Sequence, residues 1–149
     1  MPSSNVPLTL GGRLVALGGI LFLLDTLLPW HRKCFGLFGT EVCDSESAWG
    51  TPFSALAALL VLALVAEVIA VQVAGVRLPD LGGTGWGAVR LGVSGTATAL
   101  TLLQLLVGAD RLGPSYGIAG GLVLVAVLTA GTYLRRDESV LVPQSAGAV

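Results

Sequence analysis

Four long apolar segments constrain the fold of this chain more than any other feature. A helix that crosses a bilayer needs about 20 mostly apolar residues to span about 30 Å of hydrocarbon. Four segments meet this requirement, at 11–28, 52–75, 88–108 and 116–134. No small-residue cleavage site follows the first segment, so we expect it to be retained and not removed as a signal peptide. The sequence therefore predicts an all-α, membrane-spanning four-helix bundle that forms a single transmembrane domain over residues 1–149.

The composition supports a membrane protein, because charged side chains are too scarce to cover a water-soluble surface. Charged residues make up 11% of the chain and hydrophobic residues 54%, whereas soluble domains average about 25% and about 45–50%. The net charge is −1, so no basic field is present to attract nucleic acid. These values exclude a cytosolic globular enzyme and a nucleic-acid-binding protein. The expected surroundings are the lipid bilayer of the cell (plasma) membrane, crossed several times.

The basic residues and the cysteines both favour an orientation with the two termini in the cytoplasm. Four spans put both termini on one side, and an excess of Lys and Arg marks the cytoplasmic side. Five of the eight basic residues would lie there: Arg13, Arg77, Arg90, Arg135 and Arg136. Both cysteines, Cys34 and Cys43, lie in the opposite loop at 29–51, where disulfides persist. We therefore predict a disulfide that closes a hairpin in this first outer loop, with two reduced thiols as the alternative.

Aromatic residues frame the same outer loop. Trp30 and Trp49 stand at its two ends, and His31 follows Trp30. Tryptophan is enriched at membrane interfaces, so the simpler interpretation is an anchor at headgroup depth. The alternative is a folded outer cap that contacts a partner through Trp30, His31 and Trp49. The glycine-rich segment 81–87 predicts a flexible turn and no phosphate site, since no strand precedes it and no lysine follows.

The segments around the outer loop resemble a known group of proteins. They are the tripeptide Leu28-Pro29-Trp30, the spaced Cys34 and Cys43, and the segment Ser47-Ala48-Trp49-Gly50 that opens the second span. They are similar to segments of small four-helix integral membrane proteins from high-GC Gram-positive bacteria, of the actinobacterial type. The resemblance covers the first two spans and the loop between them. It implies a four-helix membrane fold and no particular activity, since these are proteins of unknown function.

Two acidic residues lie within predicted spans. Asp25 is near the outer end of the first span and Glu67 is nearer the inner end of the second. Small residues share their helix faces, so both carboxyl groups are predicted to point into the bundle. Counting along the helices places Asp25 level with Gln104. The same count places Glu67 level with Thr98 and its neighbouring threonines, in a second polar layer about 13 Å away.

Two interpretations of these acids remain open. An intramembrane acid indicates a proton or cation path by default. The alternative is an acid that stays protonated, or hydrogen-bonded to hydroxyl groups, and links helices. Small residues four positions apart, Gly92 with Thr96 and Gly117 with Gly121, let helices approach closely. These contacts could form within the bundle or between copies, so a protein partner or self-association through the Gly117 and Gly121 face is also predicted.

No catalytic, cofactor-binding or metal site is expected. The single histidine, His31, lies in a loop, and no Cys-x-x-Cys is present. We predict a non-enzymatic accessory or scaffold component of a cell-envelope complex. The first alternative is a small oligomeric proton- or cation-coupled transporter or channel that uses Asp25 and Glu67. The second is a membrane redox enzyme that uses the two cysteines, and the tail at 138–149 is predicted to be mobile.

Overall fold

The structure, a computed structural model, describes residues 9–76, 78–79, 85–108 and 113–138. Most of these residues form four helices: α1 at Leu10–Asp25, α2 at Pro52–Gln72, α3 at Trp86–Val107 and α4 at Tyr116–Glu138. The connections contain three strands: β1 at Pro29–Leu37, β2 at Thr40–Ser47 and β3 at Gly113–Pro114. A single 3-10 turn at Ala48–Gly50 precedes α2. The predicted tail beyond residue 138, residues 81–84 of the glycine-rich turn, and Arg77 lie outside the described residues.

The helices pack as an antiparallel bundle in the order α1, α2, α3, α4, and α4 returns to contact α1. Gly11 at the start of α1 lies against Arg135 near the end of α4, and Asp25 at the end of α1 lies against Gly121 near the start of α4. The start of α1 and the end of α4 therefore share one end of the bundle, which we call the termini end. The opposite end carries the strands, and we call it the sheet end.

Three of the helices are long and apolar enough to cross a membrane: Pro52–Gln72, Trp86–Val107 and Tyr116–Arg136. Only 28–39% of their most apolar windows is buried inside the structure. Large apolar side chains therefore cover the outside of the bundle, among them Leu59, Leu62 and Val123. A water-soluble helix would present charged residues there, so these helices indicate a membrane protein.

The first helix is shorter than the predicted span at 11–28. α1 has 16 residues, which is about 24 Å of helix. The Thr26 hydroxyl donates to the Leu23 carbonyl at 2.6 Å, and the N–H groups of Leu27 and Leu28 bond three residues back. This tight turn precedes Pro29, which disfavours a helical conformation in the residue before it. α4 is longer than its predicted span, since the helix continues through Arg135 and Arg136 to Glu138.

The fold is not purely helical, which corrects the all-α prediction. β1 lies between β2 and β3 in an antiparallel sheet, with the order β2-β1-β3. β1 and β2 form a hairpin whose two-residue turn, Phe38 and Gly39, has φ angles of 51° and 84°, typical of a type I′ turn. The sequence predicted a hairpin closed by the two cysteines but not its strands, because polar residues such as Glu41 and Asp44 lie on its two opposite faces. No alternation of apolar and polar residues marks the two strands.

Candidate functional site

Trp30 fixes the start of the sheet to the bundle. Its side chain is fully buried, and its indole N–H donates to the backbone carbonyl of Asp25 at 3.1 Å. The ring meets Phe22 edge to face, with the centroids 5.9 Å apart. Space for the indole comes from two glycines of α4, because a Cβ atom at Gly117 or Gly121 would lie 2.7 Å from the ring. Trp30 is thus a core residue without the exposed ring that contact with lipid headgroups needs.

Gly117 and Gly121, predicted as a contact face, are buried in the structure. The atoms nearest to them belong to Pro29, Trp30 and Asp25 of the same chain. The second pair of small residues predicted to let helices approach, Gly92 and Thr96 on α3, does face outward, and both residues are exposed. No heavy atom lies within 4 Å of a Cβ built at Gly92.

Trp49 has the exposure that an interface anchor needs, unlike Trp30. Its side chain is 47% exposed. Its indole N–H donates to the Thr26 hydroxyl at 3.2 Å, and the Ala48 N–H donates to the Thr26 carbonyl at 3.2 Å. These two bonds tie the entry of α2 to the end of α1, so Trp49 lies at the surface of the sheet end.

Asp25 is enclosed at the sheet end but does not meet Gln104. Only 8% of Asp25 is exposed, and its Oδ2 has no hydrogen-bond partner among the described residues. Its carboxylate lies against Gly120 and Gly121 of α4. Gln104 is buried on α3, where its amide donates to the Gly108 carbonyl at 2.8 Å. Asp25 and Gln104 therefore do not form the predicted outer polar layer, because the Gln104 amide bonds to the end of its own helix.

Glu67 is held by two arginines at the termini end. Arg90 Nη2 lies 2.6 Å from Glu67 Oε1, and Arg90 Nε donates to Oε2 at 3.2 Å. Arg135 Nη1 lies 3.7 Å from Oε2. The predicted threonine partners of Glu67 are replaced by these ion pairs, which join α2, α3 and α4. The ion pair of Glu67 with Arg90 could have been predicted from the positions of the two residues along their helices. Each lies about 6–8 Å from the termini end of its helix.

Hydroxyl groups form a column between α3 and α4, next to these ion pairs. Ser94 and Thr132 are joined by a hydrogen bond of 2.8 Å, and Thr98 and Thr129 by one of 2.9 Å. Each of these hydroxyl groups also lies within hydrogen-bond distance of a backbone carbonyl of its own helix. Because a hydroxyl has one hydrogen, one member of each pair donates across to the other helix and its partner donates to its own carbonyl. Thr98 therefore contributes to an interface between two helices and not to a contact with Glu67.

His31 is buried within the sheet. It pairs with Glu46 of β2 and with Pro114 of β3. Its side chain is fully buried, and neither ring nitrogen has a hydrogen-bond partner among the described residues. Burial lowers the pKa of His31 below its ordinary value, while the nearby Glu46 carboxylate opposes part of the shift. The shift favours the neutral imidazole.

The far half of the hairpin extends beyond the packed bundle. Cys34 and Cys43 face each other across the strands, with their sulfur atoms 2.06 Å apart, which is a disulfide distance. Beyond them, Phe35 and Val42 pair across the strands and are each about half exposed, and Phe38 at the turn is 100% exposed. The arrangement is a cross-linked arm that carries apolar side chains at its tip.

Comparisons with protein-family models, curated proteins and solved structures find no match to this chain. The resemblance to small four-helix membrane proteins therefore stays a prediction. Within the described ranges, no group of three or more His, Cys, Asp or Glu residues could hold a metal ion. The chemically distinctive features of these residues are the hairpin, the buried Asp25 and His31, and the ion pairs of Glu67.

Proposed function

We propose that this chain is a non-enzymatic integral membrane protein that serves as an accessory or scaffold component of a cell-envelope complex. The observation that carries the proposal is the exposed, cross-linked hairpin with Phe38 at its tip. Exposed apolar side chains grouped at one place, here Phe35, Phe38 and Val42, mark contact surfaces for proteins or membranes, and a constrained arm loses little conformational freedom when it binds. The root of the arm is fixed, because Trp30 is buried in the bundle.

All four helices cross the plasma membrane in this proposal, with both termini in the cytoplasm. α1 alone is short, but the exposed Leu27 and Leu28 extend its apolar surface past Asp25. Arg13, Arg90, Arg135 and Arg136 lie at the termini end. Of the described residues at the sheet end, Arg32 and Lys33 are the basic ones. The excess of arginine supports a cytoplasmic termini end, and the cysteine pair supports an oxidising environment for the hairpin.

Purification from native membranes tests the proposal. We would compare the tagged wild-type chain with a variant of the tip, Phe35→Ser with Phe38→Ser, and weigh the intact assemblies by mass spectrometry. We expect another protein in fixed ratio with the wild type and its loss from the variant. The control is Leu62→Ala, which alters an exposed side chain of α2 far from the hairpin. A wild-type chain that purifies only as a monomer or homo-oligomer would contradict the proposal.

A second candidate function is proton or cation transport by an oligomer, and the hydroxyl column between α3 and α4 supports it. The column begins beside the ion pairs of Glu67 and continues with the pairs of Ser94 and Thr98. We place this candidate second because Glu67 is held by two arginines and every hydroxyl hydrogen of the column is already used within α3 and α4. Flux in liposomes distinguishes the two: transport must be lost in Asp25→Asn or Glu67→Gln, whereas a scaffold gives no flux with any variant.

A further inference from the structure

The outer edge of β2 is an open sheet edge. The order β2-β1-β3 leaves β2 with a strand on one side only among the described residues. Residues 40–45 of β2 are exposed along their whole length. An open edge presents unpaired backbone N–H and C=O groups, and an extended segment of another chain can add to it as a further strand.

The register shows which backbone groups point to this edge. The two-residue turn makes Leu37 and Thr40 a hydrogen-bonded pair, and the two kinds of cross-strand pair alternate from there. Cys34 and Cys43 then form a non-hydrogen-bonded pair, in agreement with the short distance of 4.0 Å between their Cα atoms. The backbone groups of Cys43, and of Ser45 two residues on, therefore point away from β1.

Charge indicates the chemistry of the segment that fits this edge. β2 carries three acidic residues, Glu41, Asp44 and Glu46, and no basic one. Like charges on adjacent strands are destabilising, and opposite charges are stabilising. A second copy that paired its own β2 here would place its three acidic residues beside these three. A segment with Lys or Arg at alternate positions would instead face Asp44 and Glu46, which lie two residues apart on the same side of the strand.

We propose that the outer edge of β2 binds an extended, lysine- or arginine-bearing segment of a partner protein by strand addition. This inference rests on the proposed function, since it names the chemistry of the partner. The disulfide near the middle of the hairpin holds the edge in its extended form before binding. A constrained edge loses less conformational freedom on binding than a flexible loop does.

Peptide binding to the full chain in nanodiscs tests the inference. The probe is a labelled eight-residue peptide in which lysine alternates with threonine. One control replaces lysine with glutamate, and another keeps the lysines but carries N-methyl groups on four consecutive residues. We expect the first peptide to bind at least about tenfold more tightly than either control, since one or two backbone hydrogen bonds are worth about that factor. Equal binding of the methylated and unmethylated lysine peptides would overturn strand addition.

A proline variant tests the same edge from the side of the protein. Ser45→Pro removes an N–H group that points outward, and proline is tolerated on the solvent side of an edge strand. We expect it to weaken binding of the lysine peptide about tenfold, with Ser45→Ala as the matched control that binds normally. Protection of both cysteines from thiol reagents reports whether the hairpin still forms in the proline variant.

A charge-reversed variant tests the edge without introducing proline into the hairpin. In Glu41→Lys with Asp44→Lys and Glu46→Lys, we expect the preference to reverse toward the glutamate peptide. An unchanged preference would overturn the inference, as would a homodimer of the wild-type chain that Ser45→Pro dissociates.

Purification from native membranes separates this inference from the proposed function. A partner that stays bound to Ser45→Pro leaves the scaffold proposal intact and contradicts strand addition. Peptide binding without any native partner contradicts the scaffold proposal alone.

Discussion

Gly121 on α4 lies against both the indole of Trp30 and the carboxylate of Asp25. The Cβ atom of an alanine there would lie 2.7 Å from Trp30 Cζ2 and 2.9 Å from Asp25 Oδ2. We expect Gly121→Ala to lower the free energy of unfolding by about 1–3 kcal/mol, because an overpacked core must shift to accept it. Thermal unfolding in detergent measures the change.

The matched control is Gly92→Ala on α3, where a Cβ atom meets nothing within 4 Å. Alanine is a better helix former than glycine by about 1 kcal/mol, so this variant should unfold at the same temperature or a higher one. Equal destabilisation by both substitutions would show that Gly121 does not serve to admit Trp30.

His31 predicts a dependence of stability on pH. Burial lowers its pKa in the folded chain, whereas the unfolded chain has the ordinary value of 6.5. Between these two values the unfolded state binds more protons, so stability rises with pH across that window. As pH falls below 6.5 we expect the unfolding temperature of the sheet end to fall, until the folded-state pKa is passed. His31 is the only histidine in the chain.

Unfolding measured at pH 7.5 and pH 5.5, for the wild type and for His31→Gln, checks this prediction. The variant should show a smaller difference between the two pH values, because glutamine does not titrate. A difference that is unchanged in His31→Gln would assign the pH dependence to another group.

At the scale of residues, the sequence predicted the partners of some side chains and missed the partners or the burial of others. The pairing of Cys34 with Cys43 follows from two cysteines in one short loop. The burial of Trp30 does not, because it depends on glycines of α4 that are distant in sequence. The partners of Glu67 were missed because Arg90 and Arg135 were counted as markers of orientation at the ends of spans, although they lie inside α3 and α4.

The interface between α2 and α3 is joined by the ion pair of Glu67 and Arg90, whose side chains are 14% and 11% exposed. Removing one member of a buried pair leaves an unpaired charge. We therefore expect Glu67→Gln to cost about 3 kcal/mol, at the low end of the range for buried pairs because some exposure remains. The double variant with Arg90→Gln should be less destabilised than the sum of the two single variants.

Unfolding of the four members of this double-mutant cycle measures the coupling. Arg13→Gln is the control, because Arg13 is exposed on α1 and should change stability by less than about 0.5 kcal/mol. Additive effects of the two substitutions would contradict a direct coupling between α2 and α3 through this pair.

At the scale of elements, helices were predicted more accurately than strands. Long apolar runs placed α2, α3 and α4 within a few residues of their observed limits, and Pro52 marked the start of α2 as proline often does. The end of α1 was placed three residues late, because Thr26, Leu27 and Leu28 continue the composition of the helix but not its hydrogen bonds. The hairpin was predicted from its two cysteines, but its strands were missed because no alternation of apolar and polar residues marks them.

For the whole molecule, the proposed orientation predicts which residues a membrane-impermeant reagent can reach. In a Cys34→Ser, Cys43→Ser background, a single cysteine at Phe38 should react in intact cells. A cysteine at Arg136 should react only after the membrane is opened, because the two positions lie at opposite ends of the bundle. Labelling with a charged maleimide measures both. The reverse pattern would place the hairpin in the cytoplasm and contradict the orientation.

The unequal helices have a consequence for the surrounding lipid. α1 has 16 residues and α3 has 22, a difference in length of about 9 Å. With all four helices in the bilayer, as we propose, the exposed Leu27 and Leu28 offset part of this difference. The remaining hydrophobic mismatch on the side of α1 is relieved by thinning of the membrane or tilting of the bundle. Either response lowers the sheet end toward the headgroups on the side of α1. The acyl-chain length of the surrounding lipid thereby sets the height and the tilt of the hairpin relative to the membrane surface.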